Sequence, residues 1–241
     1  MFRVVTEGVG SALVTVPLAE DWQPPLESIL SAASAPNVAV VWLCSPYNPT
    51  GLTLSAEFVQ RVLEGVPDAV VVLDEAYAEI AGESLAPLML ASPNGALVRT
   101  FSKGYGLAGA RVGYVVTTPE IASTLETLRL PQNMTAFGIA AACRALDDQA
   151  GLEQRVAELV TERERLTSEL TRRGWTVLPS RGNFVLASPS QNAVEVAQWL
   201  QGAGLIVRSY PGHARLKDWL RIAARAPEEN DRLLTRLDGL R

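Results

Sequence analysis

The feature that most constrains this chain is a series of short, near-continuous apolar runs in its first half. Runs rich in Val, Leu and Ala are typical of parallel strands that are buried on both faces. Helical patterns lie between several of them, and an alternation of strands and helices indicates an α/β layer. The runs are "SALVTVPL", "VAVVWLCSP", "AVVVLDEAY", "ALVRTFSK" and "RVGYVVTT". They predict an α/β domain built on a mostly parallel sheet.

A helix is predicted between two of these runs, over residues 55–65. After the last run the pattern changes. Helices are predicted over residues 119–129, 136–146 and 151–173, and the last of these is long, amphipathic and stopped by Gly174. Beyond it come the strand-like runs "WTVLPS", "NFVLAS", "LIVRSY" and "WLRIAAR", with one helix over "AVEVAQWLQ" and another beginning at Pro227. This order predicts a large domain over 1–147, and a connecting helix with a smaller C-terminal α+β domain over 148–241.

Composition narrows the function. A net charge of -5 with scattered basic residues argues against a nucleic-acid surface and favours a small-molecule partner. No apolar run approaches the roughly 20 residues of a membrane span, and the first residues lack the build of a signal peptide, so the cytoplasm is the expected compartment. A single histidine, His213, argues against a histidine-rich metal centre. Cys44 and Cys143 lie in apolar settings, which predicts small buried thiols.

Polar side chains follow three of the apolar runs at the point where each run ends. Ligands of doubly wound sheets bind at the carboxyl ends of the strands, so these residues are the first candidates for a site. Asn48, Asp74 and Lys103 follow successive runs at intervals of 26 and 29 residues, close to the roughly 30 residues of a βαβ unit. They are therefore predicted to meet at one edge of the sheet, and Tyr77, Thr100 and Ser102 lie beside them in sequence.

This set of residues meets the chemical demands of pyridoxal phosphate. The amine of Lys103 can form a Schiff base with an aldehyde once burial and a cationic neighbour make it lose its proton readily. A carboxylate such as Asp74 can keep the pyridine nitrogen protonated. A phosphate needs hydroxyl and guanidinium donors, which Thr100, Ser102 and Arg111 can supply. Asn48 and Tyr77 would then bond the phenolic oxygen of the ring.

A dinucleotide site competes for the same residues. Gly104, Gly106 and Gly109 form a literal G-x-G-x-x-G. That fingerprint must open a helix and precede an acidic residue at the end of the next strand. Here the strand-like run "RVGYVVTT" follows almost at once, which leaves no room for the helix. The glycines are better explained as flexible backbone beside a buried lysine and a phosphate.

Several motifs, in order, resemble the fold type I, class I/II aminotransferases, and among these the histidinol-phosphate aminotransferases. They are "SPYNPTG", "VVVLDEAYAE", "RTFSKGYGLAGARVGY", "LPQNMT", "NFVL", "GLIVRSY" and "WLRIAARAPEEN". The resemblance implies the three-layer large domain of the pyridoxal-phosphate transferases. It also implies transamination of an amino acid or amino-alcohol phosphate with a 2-oxo acid.

Carried over residue by residue, the resemblance implies Lys103 as the Schiff-base lysine and proton shuttle. Asp74 would face the pyridine nitrogen. Arg221 would bind the anionic group of the substrate, with Arg208 as a second candidate. The remaining residues are cofactor contacts: Asn48 and Tyr77 at the phenolic oxygen, and Thr100, Ser102 and Arg111 at the phosphate. No metal is expected.

The match to the family begins after an upstream segment that carries an arm, a phosphate-binding helix start and two strands of the large sheet. The family topology predicts one of those strands between the "SALVTV" and "VAVVWL" runs. The family also implies a homodimer. Two further hypotheses stay open. In one, the chain is a non-catalytic remnant that retains the residues of the site. In the other, it is a decarboxylase of the same fold that acts on a phosphorylated amino acid.

Overall fold

A computed structural model describes residues 2–240. The helices are α1 (Phe2–Gly8), α2 (Leu26–Ala33), α3 (Ala56–Gly65), α4 (Ala78–Ala81), α5 (Ala86–Ala91), α6 (Pro119–Leu128), α7 (Ala136–Asp147), α8 (Gln149–Arg172), α9 (Ala193–Gly202) and α10 (Pro227–Leu237). The strands are β1 (Val40–Cys44), β2 (Val70–Asp74), β3 (Gly95–Thr100), β4 (Gly113–Thr117), β5 (Thr176–Val177), β6 (Phe184–Ser188), β7 (Arg208–Ser209) and β8 (Leu220–Ala223). None of the helices within residues 2–240 combines the length and apolar character needed to cross a membrane.

The first four strands form one mixed sheet in the order β1-β2-β3-β4. β1, β2 and β3 are parallel, and β4 pairs antiparallel with β3. The register places Cys44 beside Asp74 and Asp74 beside Val98, so the carboxyl ends of the three parallel strands lie side by side. The predicted α/β architecture with a mostly parallel sheet is confirmed.

Two of the five predicted strands need correction. The run "SALVTVPL" has no regular secondary structure, and Val14 within it is 66% exposed. No strand of the described chain pairs with this run, so an extended segment gains no ladder hydrogen bonds there. The run "RVGYVVTT" does form β4, but as an exposed antiparallel edge rather than a buried parallel strand. Its link to β3 contains no crossover helix, which a parallel strand would require.

One face of this sheet is closed by α2, α3 and α5. Ser55 caps α3, since its hydroxyl accepts a hydrogen bond from the Phe58 N–H at 3.1 Å. Val59, Val62 and Leu63 then repeat at helical spacing and are buried against the strands. Apolar side chains fill this face of the sheet. The polar candidate residues lie instead at the carboxyl ends of the strands.

The second sheet is antiparallel, in the order β5-β6-β8-β7, and has its own core. Leu166 and Leu170 of α8 pack into that core with residues from α9 and α10. Gly174 follows α8 with a φ of +81°, the left-handed conformation that ends helices and that glycine adopts without strain. The second half is thus α+β in character, while the domain boundary after residue 147 stays a prediction.

The expectation that Cys143 is a buried thiol is wrong. Its side chain is exposed on α7, and Cys44 is only partly buried. The buried face of α7 is made by Gly138 and Ala142. Adjacent helical positions are rotated by about 100° from each other, so the residue after Ala142 turns away from that face.

Arg215 connects the irregular N-terminal segment to the second half of the chain. Its guanidinium donates hydrogen bonds to the carbonyl oxygens of Leu18 at 2.7 Å and Ala19 at 2.9 Å. It also lies 4.1 Å from the centroid of the Trp22 ring, which meets the Trp219 ring edge-on. The Arg215 guanidinium thereby joins the segment before α2 to the segment between β7 and β8, which are almost two hundred residues apart in sequence.

Arg215→Met is expected to lower the free energy of unfolding by about 1–2 kcal/mol, because three charge-assisted hydrogen bonds to the carbonyl oxygens of residues 18–20 and a cation–π contact are lost. Urea unfolding measures the change, and amide hydrogen exchange over 18–22 should become faster. The matched control is Arg61→Met, which removes the exposed ion pair with Glu27 and should cost under about 1 kcal/mol. Equal losses for the two variants would show that Arg215 does not hold the segment.

Candidate active site

Three of the candidate residues, Asn48, Tyr77 and Lys103, meet at the carboxyl edge of the first sheet. Asn48 lies in a tight turn after β1, in which the Gly51 N–H donates to the Tyr47 carbonyl at 2.6 Å. The Asn48 amide donates to the hydroxyl of Tyr77 at 3.4 Å. The Lys103 Nζ lies 5.4 Å from the centroid of the same Tyr77 ring. The turns after β1, β2 and β3 therefore contribute to one site.

Asp74 ends β2 and faces this site from the sheet. Its Oδ1 accepts a hydrogen bond from the Ala76 N–H at 3.0 Å. Burial raises the pKa of its carboxyl, although the Ala76 hydrogen bond and the charge of Lys103 act in the opposite direction. Burial, together with the charge of Asp74, raises the pKa of the neighbouring Cys44 thiol to about 12. Cys44 is therefore a neutral neighbour of this carboxylate at ordinary pH.

Lys103 is held in a partly buried, electropositive position. Burial is the largest cause that lowers the pKa of its amine, and the charges of Arg221 and Arg111 lower it further. Asp74 opposes them but does not reverse the shift. A lysine in such surroundings gives up its proton more readily than a free one, and the neutral amine is the nucleophile.

Two hydroxyls stand together beside this lysine. The Thr100 hydroxyl donates to the Ser102 Oγ at 2.9 Å, and the Ser102 N–H donates to the Thr100 Oγ1 at 3.1 Å. Arg111 follows the short turn Ala108–Ala110 and has a φ of +55°. Its side chain is exposed, and its guanidinium donates to the Ala108 carbonyl at 3.0 Å. The structure thus gathers two hydroxyls near Lys103, with Arg111 at the rim.

The second sheet supplies the opposite side of the site. The Arg221 Nη1 donates to the Asn48 Oδ1 at 2.8 Å, and the guanidinium lies 5.3 Å from the centroid of the Phe184 ring. Arg208 is the cross-strand neighbour of Arg221 but is exposed, and its guanidinium lies 5.8 Å from the centroid of the Tyr210 ring. Arg221 therefore reaches the other candidate residues directly, whereas Arg208 lies beside Tyr210.

Phe184 and Tyr210 belong to this region but were not predicted from the sequence. Phe184 is 2% exposed and meets the Tyr77 ring edge-on, with centroids 5.4 Å apart. Tyr210 is close enough to Arg208 and Arg221 for both charges to lower the pKa of its phenol, although burial raises that pKa overall. The only signal for either residue is an aromatic side chain within a strand-like run that carries an Asn or Arg neighbour.

Asp74→Asn is expected to stabilise the ligand-free chain at pH 7 by about 1 kcal/mol or less. Because the folded pKa is raised above its usual 3.8, the charged form disfavours folding at pH values above the raised pKa. The difference in stability should narrow as pH falls through that raised pKa toward 3.8, because the folded carboxyl becomes protonated first and the unfolded one follows. Urea unfolding from pH 7 to pH 4 measures it, with the exposed Asp68→Asn as control. A less stable Asp74→Asn chain at pH 7 would contradict the dominance of burial.

The chain belongs to the class I and II aminotransferase family, whose model matches residues 1–237. It is 38% identical over 98% of its length to the histidinol-phosphate aminotransferase 2 of Pseudomonas fluorescens, and covers 65% of that protein. It is 33% identical to the aromatic amino acid aminotransferase of Cutibacterium acnes, with 98% of this chain and 67% of that protein covered.

Among solved structures, the histidinol-phosphate aminotransferase of Sinorhizobium meliloti in complex with pyridoxal-5'-phosphate matches with a TM-score of 0.89. The two chains are 35% identical, and the match covers 97% of this chain and 65% of the other. The chain thus spans about two thirds of the length of the relatives that it matches.

Proposed function

We propose that this chain binds pyridoxal 5'-phosphate and transfers an amino group from an amino acid or amino-alcohol phosphate of the histidinol-phosphate type to a 2-oxo acid. The observation that carries the proposal is the meeting of Lys103, Asp74, Tyr77, Asn48 and Arg221 at one edge of the sheet. An amine of lowered pKa, a partly buried carboxylate and a guanidinium in one site form the set that this cofactor and an anionic substrate require.

The residues present fit the cofactor by their chemistry. Asp74 would hold the proton of the pyridine nitrogen, because it is a partly buried carboxylate whose charge is balanced by Lys103. The paired hydroxyls of Thr100 and Ser102 and the guanidinium of Arg111 offer donors for the phosphate. When bound, the cofactor supplies an electron sink for the carbanion that forms at the substrate α-carbon.

The side chains of this chain then have separate tasks. The Lys103 Nζ would hold the cofactor covalently and would accept the proton that leaves the substrate α-carbon, a task that its lowered pKa suits. Arg221 binds the anionic group of the substrate and also orients Asn48 through their hydrogen bond. Tyr77 and Phe184, packed edge to face, form an apolar wall that excludes water from that side of the site.

The partners of this chain are proposed to be an amino donor, a 2-oxo acid and a second copy of the chain. Support for the homodimer comes from apolar side chains left exposed on neighbouring elements: Tyr114 and Val115 of β4, Leu128 of α6 and Phe137 of α7. Exposed apolar groups of this size are typical of surfaces that another protein covers. Sedimentation equilibrium tests the proposal, and the mass of two chains is expected.

The cofactor proposal is tested by adding pyridoxal 5'-phosphate to the purified chain and recording the visible absorption of lysine-bound cofactor. Borohydride reduction and peptide mapping should then place the adduct on one of the two lysines, Lys103, and not on Lys217. Histidinol phosphate, aromatic amino acids and a phosphorylated amino acid are each tested as the amino donor, with 2-oxoglutarate as the acceptor. Release of carbon dioxide without amino transfer would support the decarboxylase hypothesis, and no adduct at all would support the non-catalytic remnant.

A further inference from the structure

A buried ionic cluster lies next to the candidate site, and none of its members is among the residues that were given a role above. We name it the Arg99 cluster; its members are Arg99, Glu75, Glu79 and Ser84. The Arg99 Nη2 lies 2.7 Å from the Glu75 Oε2, and its Nη1 lies 3.0 Å from the Glu79 Oε1. The Ser84 hydroxyl also donates to the Glu75 Oε2 at 2.8 Å. One guanidinium on β3 thus binds two carboxylates of the segment after β2.

The two carboxylates are interleaved with residues of the site. Glu75 directly follows Asp74, and Glu79 is two positions after Tyr77. The Glu75 carboxylate is 2% exposed, and its Oε1 accepts the Leu85 N–H at 2.6 Å. Arg99 of β3 donates two hydrogen bonds to the Glu75 Oε2 and thereby links β3 to the backbone that carries Asp74 and Tyr77.

Glu79 also reaches the turn that carries Lys103. A Cβ placed on Gly104 would lie 2.8 Å from the Glu79 Cβ, so the two residues are in direct contact. The Glu79 side chain is 10% exposed, and its Oε2 has no hydrogen-bond partner within residues 2–240. The charge of Glu79 also helps burial to raise the pKa of the Tyr105 phenol. Arg99, through Glu79, thus holds a side chain against the residue that follows Lys103.

We propose that Arg99 is a positioning residue that fixes the distance between the Asp74 carboxylate and the Lys103 amine. Its planar guanidinium presents donors in a rigid fork, so it can hold Glu75 and Glu79 in one fixed arrangement. A lysine at this position would offer a single ammonium and could not reproduce both contacts. The significance of that distance for cofactor chemistry rests on the proposed function, whereas the positioning itself does not.

The positioning is tested on the ligand-free chain by amide hydrogen exchange over two segments, 74–79 and 101–106. Arg99→Met is expected to speed exchange in both segments by about 10-fold or more. Local opening needs less free energy once the ion pairs of Arg99 with Glu75 and Glu79 are lost. Exchange over β6, in the other sheet, should not change. Arg61→Met is the matched control, since it removes an exposed pair away from both segments. Unchanged exchange over 101–106 in Arg99→Met would overturn the proposal.

Glu79→Gln tests the same link if Arg99→Met does not fold. It keeps the Glu75 pair and is expected to speed exchange over 101–106 by about 3-fold or more, with a smaller effect over 74–79. With cofactor added, the pH midpoint of the visible band should move by about half a unit in Glu79→Gln and in Arg99→Lys, but not in Arg61→Met. If the wild-type chain takes up no cofactor, the proposed function fails, and the exchange rates alone still decide the positioning.

Discussion

Lys103→Ala is expected to abolish covalent capture of pyridoxal 5'-phosphate and to lower the rate of amino transfer by about 10⁴-fold or more. The amine lies 5.4 Å from the Tyr77 ring centroid and has its pKa lowered by burial and by Arg221 and Arg111. Alanine removes the amine that is proposed to act both as the nucleophile and as the group that moves the proton. The measurements are borohydride trapping with mass spectrometry, and the single-turnover rate of amino transfer.

The chain offers a matched control for this variant, because Lys217 is its only other lysine and is exposed. Lys217→Ala should capture the cofactor and react as the wild type does. Lys103→Ala should also remain folded, since it removes a cation from electropositive surroundings. Trapping that survives in Lys103→Ala and disappears in Lys217→Ala would refute the assignment of Lys103.

The carboxyl edge of the first sheet could be predicted from the sequence because parallel strands align their ends. Asn48, Asp74 and Lys103 each follow an apolar run at the interval of a βαβ unit, and the register of β1, β2 and β3 sets those ends side by side. The six helices predicted from the sequence lie close to observed ones, since caps and stops are local signals such as Ser55 and Gly174. The helices α1, α2, α4 and α5 were not predicted.

Contacts between distant parts of the chain could not be predicted in this way. The hydrogen bond from Arg221 to Asn48 joins residues 173 positions apart, and neither residue has a local pattern that announces the other. From the sequence, Phe184 is an ordinary core residue of a strand. Only the structure shows that its ring contacts the Tyr77 ring. Arg99 is the first residue of the motif "RTFSKGYGLAGARVGY", but its place there indicates no role, and only the fold brings Glu75 and Glu79 to it.

The misread strands have a shared physical cause. Apolar content predicts extended backbone, but a strand also needs a partner strand beside it. The sequence of a single run does not show whether such a partner exists or in which direction it pairs. The "SALVTVPL" run has no partner strand in residues 2–240, and its last carbonyl, that of Leu18, accepts a hydrogen bond from Arg215 instead. The "RVGYVVTT" run does find one, but its short connection to β3 makes the pairing antiparallel.

Arg221→Met is expected to lower kcat/KM for a phosphorylated amino donor by about 10²- to 10³-fold, because the guanidinium that is proposed to bind the anionic group is lost. The same variant should raise the pKa of the Lys103 amine, since the charge of Arg221 lowers it in the wild type. Reductive ¹³C-methylation followed by NMR titration measures that pKa, because the chain has only two lysines to resolve.

Arg208→Met is the control for Arg221→Met. It shows whether kcat/KM depends on Arg221 itself or on any positive charge near the site. Arg208 neighbours Arg221 across the strands but is exposed and lies beside Tyr210, so its loss should cost about 10-fold or less in kcat/KM. Because Arg208 does not affect the amine of Lys103 as Arg221 does, the pKa of that amine should stay at the wild-type value. A larger loss in Arg208→Met than in Arg221→Met would move the anion site from the Asn48 side of the second sheet to the Tyr210 side.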